Sequence, residues 1–149
     1  KKDLQPLLQA RKKFEFIILN YPETDYATDA RFKLDLIIDQ IAAKEMSIAR
    51  FYMKTEKWIP ALNRLQIVVE KYDRTVFVEE ALHRLVEVYY RIGLVEEATQ
   101  AAAILGYNYQ SSQWYEKSYK VFNKKYKPKK IKEKKKFGLV RSKIKSLFE

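Results

Sequence analysis

The feature that most constrains this chain is a repeat: Tyr52, Ala61, Leu65, Val68 and Tyr72 return thirty-seven residues later as Tyr89, Ala98, Ala102, Leu105 and Tyr109. In both copies nine residues separate the tyrosine from the alanine, and the alanine sits at the start of a second amphipathic segment. A side chain that ends at Cβ is needed there, because two antiparallel helices cross at that point and a larger group would hold their backbones apart. A repeat of this length, carried by small and aromatic residues at fixed offsets, is the mark of stacked helical hairpins. Each hairpin buries its apolar face only against its neighbours, and the resulting stack offers extended surfaces to other proteins.

Of the 149 residues, 47% are hydrophobic and 14% aromatic, which is enough apolar material for the core of one domain. Only three Gly and four Pro, with few β-branched alternations, predict an all-α chain. No apolar run approaches the roughly 18–20 residues that a membrane-spanning helix requires. The formal charge of +11 is concentrated: residues 124–149 hold twelve Lys or Arg against Glu133 and Glu149, a net of +10, while residues 1–123 hold 18 basic and 17 acidic residues. The basicity therefore belongs to a tail, and the helical array is electrically balanced.

Residues 3–21 read as half a repeat, because Ala10, Phe14, Ile17 and Tyr21 match Ala61, Leu65, Val68 and Tyr72 in spacing, so the first arm of that hairpin is expected upstream of Lys1. A complete hairpin follows over residues 24–72. Pro22 stops the first helix, and Thr24 or Asp25 caps the next. One long helix then runs from Tyr26 to about Lys57, with Phe32, Leu36, Ile41, Ile48, Ala49 and Tyr52 as its apolar positions and Ala42 to Glu45 as the place for a bend. Its return arm runs from near Ile59 to Tyr72, with Pro60 in the first turn, where a missing N–H costs nothing. The second hairpin covers residues 76–107: Val78 to Ile92, a stop at Gly93, and an alanine-rich arm from Leu94 to Leu105. Gly106 to Gln110 reads as a connector, Ser111 or Ser112 as an N-cap, and residues 111–123 as a helix that caps the stack. Residues 124–149 are a Lys-rich tail ending in a short basic amphipathic helix through Phe137, Val140, Ile144 and Leu147. The expected architecture is an all-α, tetratricopeptide-like stack of antiparallel helical hairpins, a right-handed solenoid with a basic C-terminal tail.

Catalytic chemistry finds little to work with. Cysteine is absent, and His83 is the only histidine, read as a solvated helix-face residue paired with a glutamate among Glu79, Glu80 and Glu87. No ligand set, nucleophilic triad or Gly-rich phosphate loop is visible, so no catalytic, cofactor or metal site is assigned. Glu96 and Glu97 sit in a first helical turn, where dipole complementarity accounts for them. Tyr52, Tyr72 and Tyr89 recur with the repeat and are assigned to packing. Trp58 does not recur, since its equivalent is Val95, and it stays a candidate for partner contact. Arg64 has Pro60, Ala61, Ile67 and Val68 as its helical neighbours and no acidic residue among them, so its guanidinium either snorkels to water or meets a carboxylate from elsewhere. The Lys-rich stretch, including Lys129, Lys130, Lys134, Lys135 and Lys136, is either a solvated tail or a surface for anionic lipid or polyanions. Base-reading residues interleaved with aromatics are missing, so sequence-specific nucleic-acid binding is not expected.

The run Tyr21-Pro22-Glu23-Thr24-Asp25-Tyr26-Ala27-Thr28-Asp29-Ala30, followed by Ile48-Ala49-Arg50-Phe51-Tyr52, Trp58, Ala61-Leu62-Asn63-Arg64 and Val68-Val69-Glu70-Lys71-Tyr72, resembles the BamD family, lipoproteins of the outer-membrane β-barrel assembly machinery. The resemblance covers roughly residues 3–107 and matches the carboxy-terminal portion of that family, from partway through the third of five repeats. It implies a non-catalytic scaffold on the periplasmic face of the outer membrane, tethered by a lipidated cysteine upstream. It further implies docking to the POTRA domain of BamA and to accessory lipoproteins, with unfolded barrel substrates met by amino-terminal repeats that lie outside this chain. The family's Asn-Arg pair at the BamA contact matches Asn63-Arg64, and Trp58 matches a family position. The motif at residues 21–27 is also similar to CpoB-like periplasmic tetratricopeptide adaptors, and the Lys-rich tail is not a family feature. A generic adaptor, or a tail that works at membranes or polyanions, is therefore the alternative.

Overall fold

Thr24 has extended backbone (φ −99°, ψ 154°), and its hydroxyl oxygen accepts the Ala27 N–H at 3.2 Å, which starts the longest helix of the molecule. The structure is a computed structural model that describes residues 4–124. Six helices follow one another among these residues: α1 (Gln5–Asn20), α2 (Asp25–Lys54), α3 (Trp58–Lys71), α4 (Val78–Arg91), α5 (Val95–Asn108) and α6 (Gln113–Phe122). The expectations for Lys129, Lys130, Lys134, Lys135 and Lys136, and for an amphipathic helix after Phe137, lie outside the described residues.

Each helix packs mainly on its neighbours in sequence, α1 on α2, α2 on α3, α3 on α4 and α4 on α5, with α6 laid across α4 and α5. This is a tetratricopeptide-like stack. The recurring alanines sit where the helices cross: Ala61 and Ala98 are both fully buried. Around them Met46, Ala49, Leu65, Val68, Leu85, Val86 and Ala102 form one continuous core running through both hairpins. A second cluster of Ile41, Ala42 and Tyr72 joins α1 to the rest through Leu4, Leu7 and Leu8.

The two hairpin turns close in the same way. The Lys57 N–H reaches the Tyr52 carbonyl at 2.9 Å, and the Leu94 N–H reaches the Tyr89 carbonyl at 2.9 Å. Each turn passes through a left-handed residue, Glu56 at φ 57° and Gly93 at φ 88°, as this kind of helix ending requires.

Three expectations need correction. Phe32 and Leu36 face outward, 69% and 62% exposed, while Ala27 and Ala30 are the buried positions of that half of α2. Near-helical spacing did not separate these two faces, because the buried side in the first turns of α2 is filled by the small Ala27 and Ala30. α5 continues through Gly106 to Asn108, so the connector begins later than expected. Gly106 is helical for a packing reason: a Cβ there would fall 2.5 Å from Cε2 of Tyr115, so only glycine lets α6 lie this close to α5. The third concerns His83, which is buried.

Candidate docking surface

Arg64 lies on the flank of α3 that faces α2. Its Nη1 donates to both carboxylate oxygens of Glu45, at 3.0 and 3.4 Å. The carboxylate missing from its own helix therefore comes from within the chain, nineteen residues upstream. The Glu45 side chain is only 7% exposed and the Arg64 side chain 38%. Burial makes the carboxylate depend on the guanidinium, since an unpaired charge there has lost its water. Both contacts use Nη1, so among the described residues Nε and Nη2 have no partner and stay available at the surface. Asn63, beside Arg64, is exposed.

Trp58 is turned elsewhere. It lies six residues before Arg64, about 240° away around the helix, half-buried against the core shared by both hairpins. The Arg91 guanidinium carbon sits over its ring at 5.0 Å from the centroid. The three residues singled out from the sequence therefore do not form one patch. Asn63 and Arg64 form one surface beside α2, and Trp58 lines a groove beside α4.

The strongest polar cluster was not legible from the sequence. His83, 3% exposed, stacks on Trp114 with ring centroids 5.3 Å apart. The fully buried Ser118 hydroxyl donates to the Trp114 carbonyl at 2.9 Å and has Nδ1 of His83 as its second partner, also at 2.9 Å. Nε2 of His83 lies 3.5 Å from Glu87. Burial pushes the Glu87 carboxyl up, but hydrogen bonds from His83 and Arg84 and their charges outweigh it and hold the group at about 2, below its usual 4.5. Serine, histidine and glutamate thus stand in relay order. The hydroxyl is sealed from solvent and no substrate can reach it, so the arrangement works as a clasp that fastens α6 to α4. A second fastening is the Ser112 hydroxyl, which caps α6 and donates to Glu79. Ser118 is thirty-five residues from His83, and no spacing rule connects them.

Between the hairpins, Arg50 of α2 makes a two-pronged contact with Glu80 of α4, Nε to Oε1 at 2.9 Å and Nη2 to Oε2 at 2.6 Å. The Arg50 hydrogen bond is the main reason the Glu80 carboxyl lies below its usual value, and it overcomes the upward push of burial. No group of three or more acidic, His or Cys side chains suited to a metal ion occurs among the described residues. No described helix is long and apolar enough to cross a membrane.

Residues 1–105 match the YfiO family, described as an outer membrane lipoprotein. The chain is 44% identical over 115 residues to the outer membrane protein assembly factor BamD of Caulobacter vibrioides, an alignment covering 77% of this chain and 38% of that protein. It is 43% identical over 112 residues to the BamD of Rickettsia prowazekii, covering 75% and 45%. It is 33% identical over 104 residues to that of Neisseria meningitidis, covering 70% and 39%. The chain thus spans less than half the length of these curated relatives. On the match over residues 1–105 and these identities, the chain belongs to the YfiO/BamD family of outer membrane lipoproteins.

Proposed function

We propose that this chain is a non-catalytic docking portion of an outer-membrane protein assembly factor, working on the periplasmic face of the outer membrane. The relatives named BamD are outer membrane protein assembly factors, and the same role is proposed for the parent of this chain. The surface that meets a partner is that around Asn63 and Arg64 on α3 with the last two hairpins, and the partners are the POTRA domain of BamA and accessory lipoproteins. Unfolded barrel substrates are left to repeats upstream, and the membrane tether to an upstream lipid anchor.

One observation carries the site: Arg64 is held by Glu45 through Nη1 alone. Its remaining N–H groups are oriented and pre-ordered, so an incoming carboxylate meets a guanidinium whose rotamer is already restricted. Changing Arg64 to an acid would set two carboxylates against each other inside the chain and confuse docking with folding. Neutral variants separate the two. With the full chain and isolated BamA POTRA domains, Arg64→Gln is expected to weaken binding at least tenfold in calorimetry, while Glu45→Gln, which releases the guanidinium, keeps or tightens it. Equal binding by the wild type and Arg64→Gln would remove Arg64 from the interface.

A further inference from the structure

The end of α2, the start of α3, the last turns of α4 and the end of α6 enclose an open groove of about 440 Å³. Its apolar lining is Met53, Trp58, Tyr90 and Val121, and its cations include Lys54 and Arg91. We propose that this groove docks an extended acidic peptide segment of a partner protein, with a carboxylate on Arg91 and a neighbouring apolar side chain against Trp58 and Met53.

Charge accounting within the groove favours an acidic occupant. Arg84 is already engaged by Glu80 at 3.5 Å and by Glu87 at 2.7 Å, and Glu87 also faces His83, so these groups neutralise one another. Among the described residues neither Arg91 nor Lys54 has a carboxylate within ion-pair reach, and Glu56 is the one other acid of the lining. Arg91 is moreover pre-aimed. Contact with the Trp58 ring, 5.0 Å from guanidinium carbon to centroid, restrains the side chain by cation–π attraction and leaves its N–H groups to meet a carboxylate. Helix-end electrostatics account for the two cations only in part. Lys54 and Arg91 each stand in the last turn of a helix, where the dipole favours them, but that effect needs no tryptophan. The repeat does not require Trp58 either, because Val95 serves at the equivalent place in the second hairpin.

The chain also leaves α6 beside Val121, and from Lys124 onward it carries a net charge of +10. The unpaired cations of the groove attract an acidic segment, and like charge disfavours the chain's own Lys-rich sequence as the occupant. Trp, Tyr and Arg around a partly desolvated hollow are the residue types that carry most binding energy at protein interfaces. This site stands apart from the Arg64 surface, because Trp58 faces Arg91 of α4 while Arg64 faces Glu45 of α2.

The test follows the indole N–H resonance of Trp58 in the full chain, assigned by its loss in Trp58→Phe. The probes are a blocked hexapeptide with two Glu between Leu and Phe and Gly at its ends, the same peptide with Gln for Glu, and phosphatidylglycerol vesicles. The expected result is a saturable shift with the Glu peptide, at least fivefold weaker affinity for the Gln peptide, and an equal loss in Arg91→Gln. Arg64→Gln should bind the peptide like the wild type. Equal affinity for both peptides, no effect of Arg91→Gln, a response to vesicles alone, or a shift that grows with protein concentration without peptide would each overturn the proposal.

Discussion

The α2–α3 and α4–α5 hairpins are two copies of one design, and their agreements and disagreements fall in different places. Where backbones must meet, they agree. Ala61 and Ala98 are both fully buried, Ala49 corresponds to the equally buried Val86, and Glu56 and Gly93 occupy the same left-handed turn position. Where side chains look outward or into grooves, they part. Glu45 and Arg64 correspond to Leu82 and Ala101, so two paired charges in the first hairpin are replaced in the second by two buried apolar residues. Trp58 corresponds to Val95. The fold can evidently be closed at this crossing without charge. Buried ion pairs are often no more stabilising than the apolar residues that can replace them, so retaining one points to use at a surface.

The second hairpin directs its polar residues to α6 instead. His83 and Glu87, which form the clasp, stand where the first hairpin has Met46 and Arg50. Arg50 in turn reaches Glu80 of the following hairpin. Each copy therefore keeps the crossing residues and uses the neighbouring face for whichever element comes next in the stack.

Transplanting the second hairpin's residues into the first tests this comparison most severely. Arg64→Ala alone leaves the Glu45 carboxylate buried and unpaired, and because Arg64 is itself partly exposed the expected cost is about 2 kcal/mol. Adding Glu45→Leu should bring stability back to within about 1 kcal/mol of the wild type in urea unfolding. If the double variant is as damaged as the single, the two crossings are not interchangeable.

A smaller effect is expected from acid. Because the Glu87 carboxyl is depressed from 4.5 to about 2, its contribution is fully present above the unfolded value and is lost as pH falls from about 4.5 towards 2. Wild-type Tm should therefore drop between pH 5.5 and 2.5 by about 3 °C more than that of Glu87→Gln. The same drop in both would mean that the pairing of Glu87 with His83 and Arg84 contributes nothing to stability.

The smallest effect lies at the turns. Glu56 adopts φ 57°, where Cβ crowding costs about 1 kcal/mol, and Gly93 shows that the position accepts glycine. Glu56→Gly should raise the urea midpoint by the equivalent of about 0.5 kcal/mol, and Gly93→Ala should lower it by about 1 kcal/mol. Opposite signs would show that the two turns are not equivalent.

How much of this was legible depended on whether the cause was local. The recurring alanines and tyrosines marked the crossings because a helix records its buried stripe every three or four residues. Thr24 and Gly93 marked helix ends for similar reasons, since capping is decided within a turn. Gly106 misled because the cause of its glycine, the ring of Tyr115, lies on another helix. His83 misled for the same reason. Its glutamate was visible one turn away, but the helix that buries it was not. Arg64 was recognised as lacking a carboxylate on its own helix, yet sequence could not say that Glu45 of α2 supplies one.

From the sequence alone came the helical hairpins, their register, the caps, the separation of a balanced array from a basic tail, and the resemblance to a family. All of these rest on spacing along one chain, where the helical period translates directly into faces. Only tertiary structure decided that Arg64 is half-occupied, that Trp58 faces Arg91 and not Arg64, and that a serine and a histidine thirty-five residues apart share a proton-bearing contact. Those outcomes depend on how neighbouring helices are rotated and offset against each other, which is set by the packing of whole faces and is written in no single spacing.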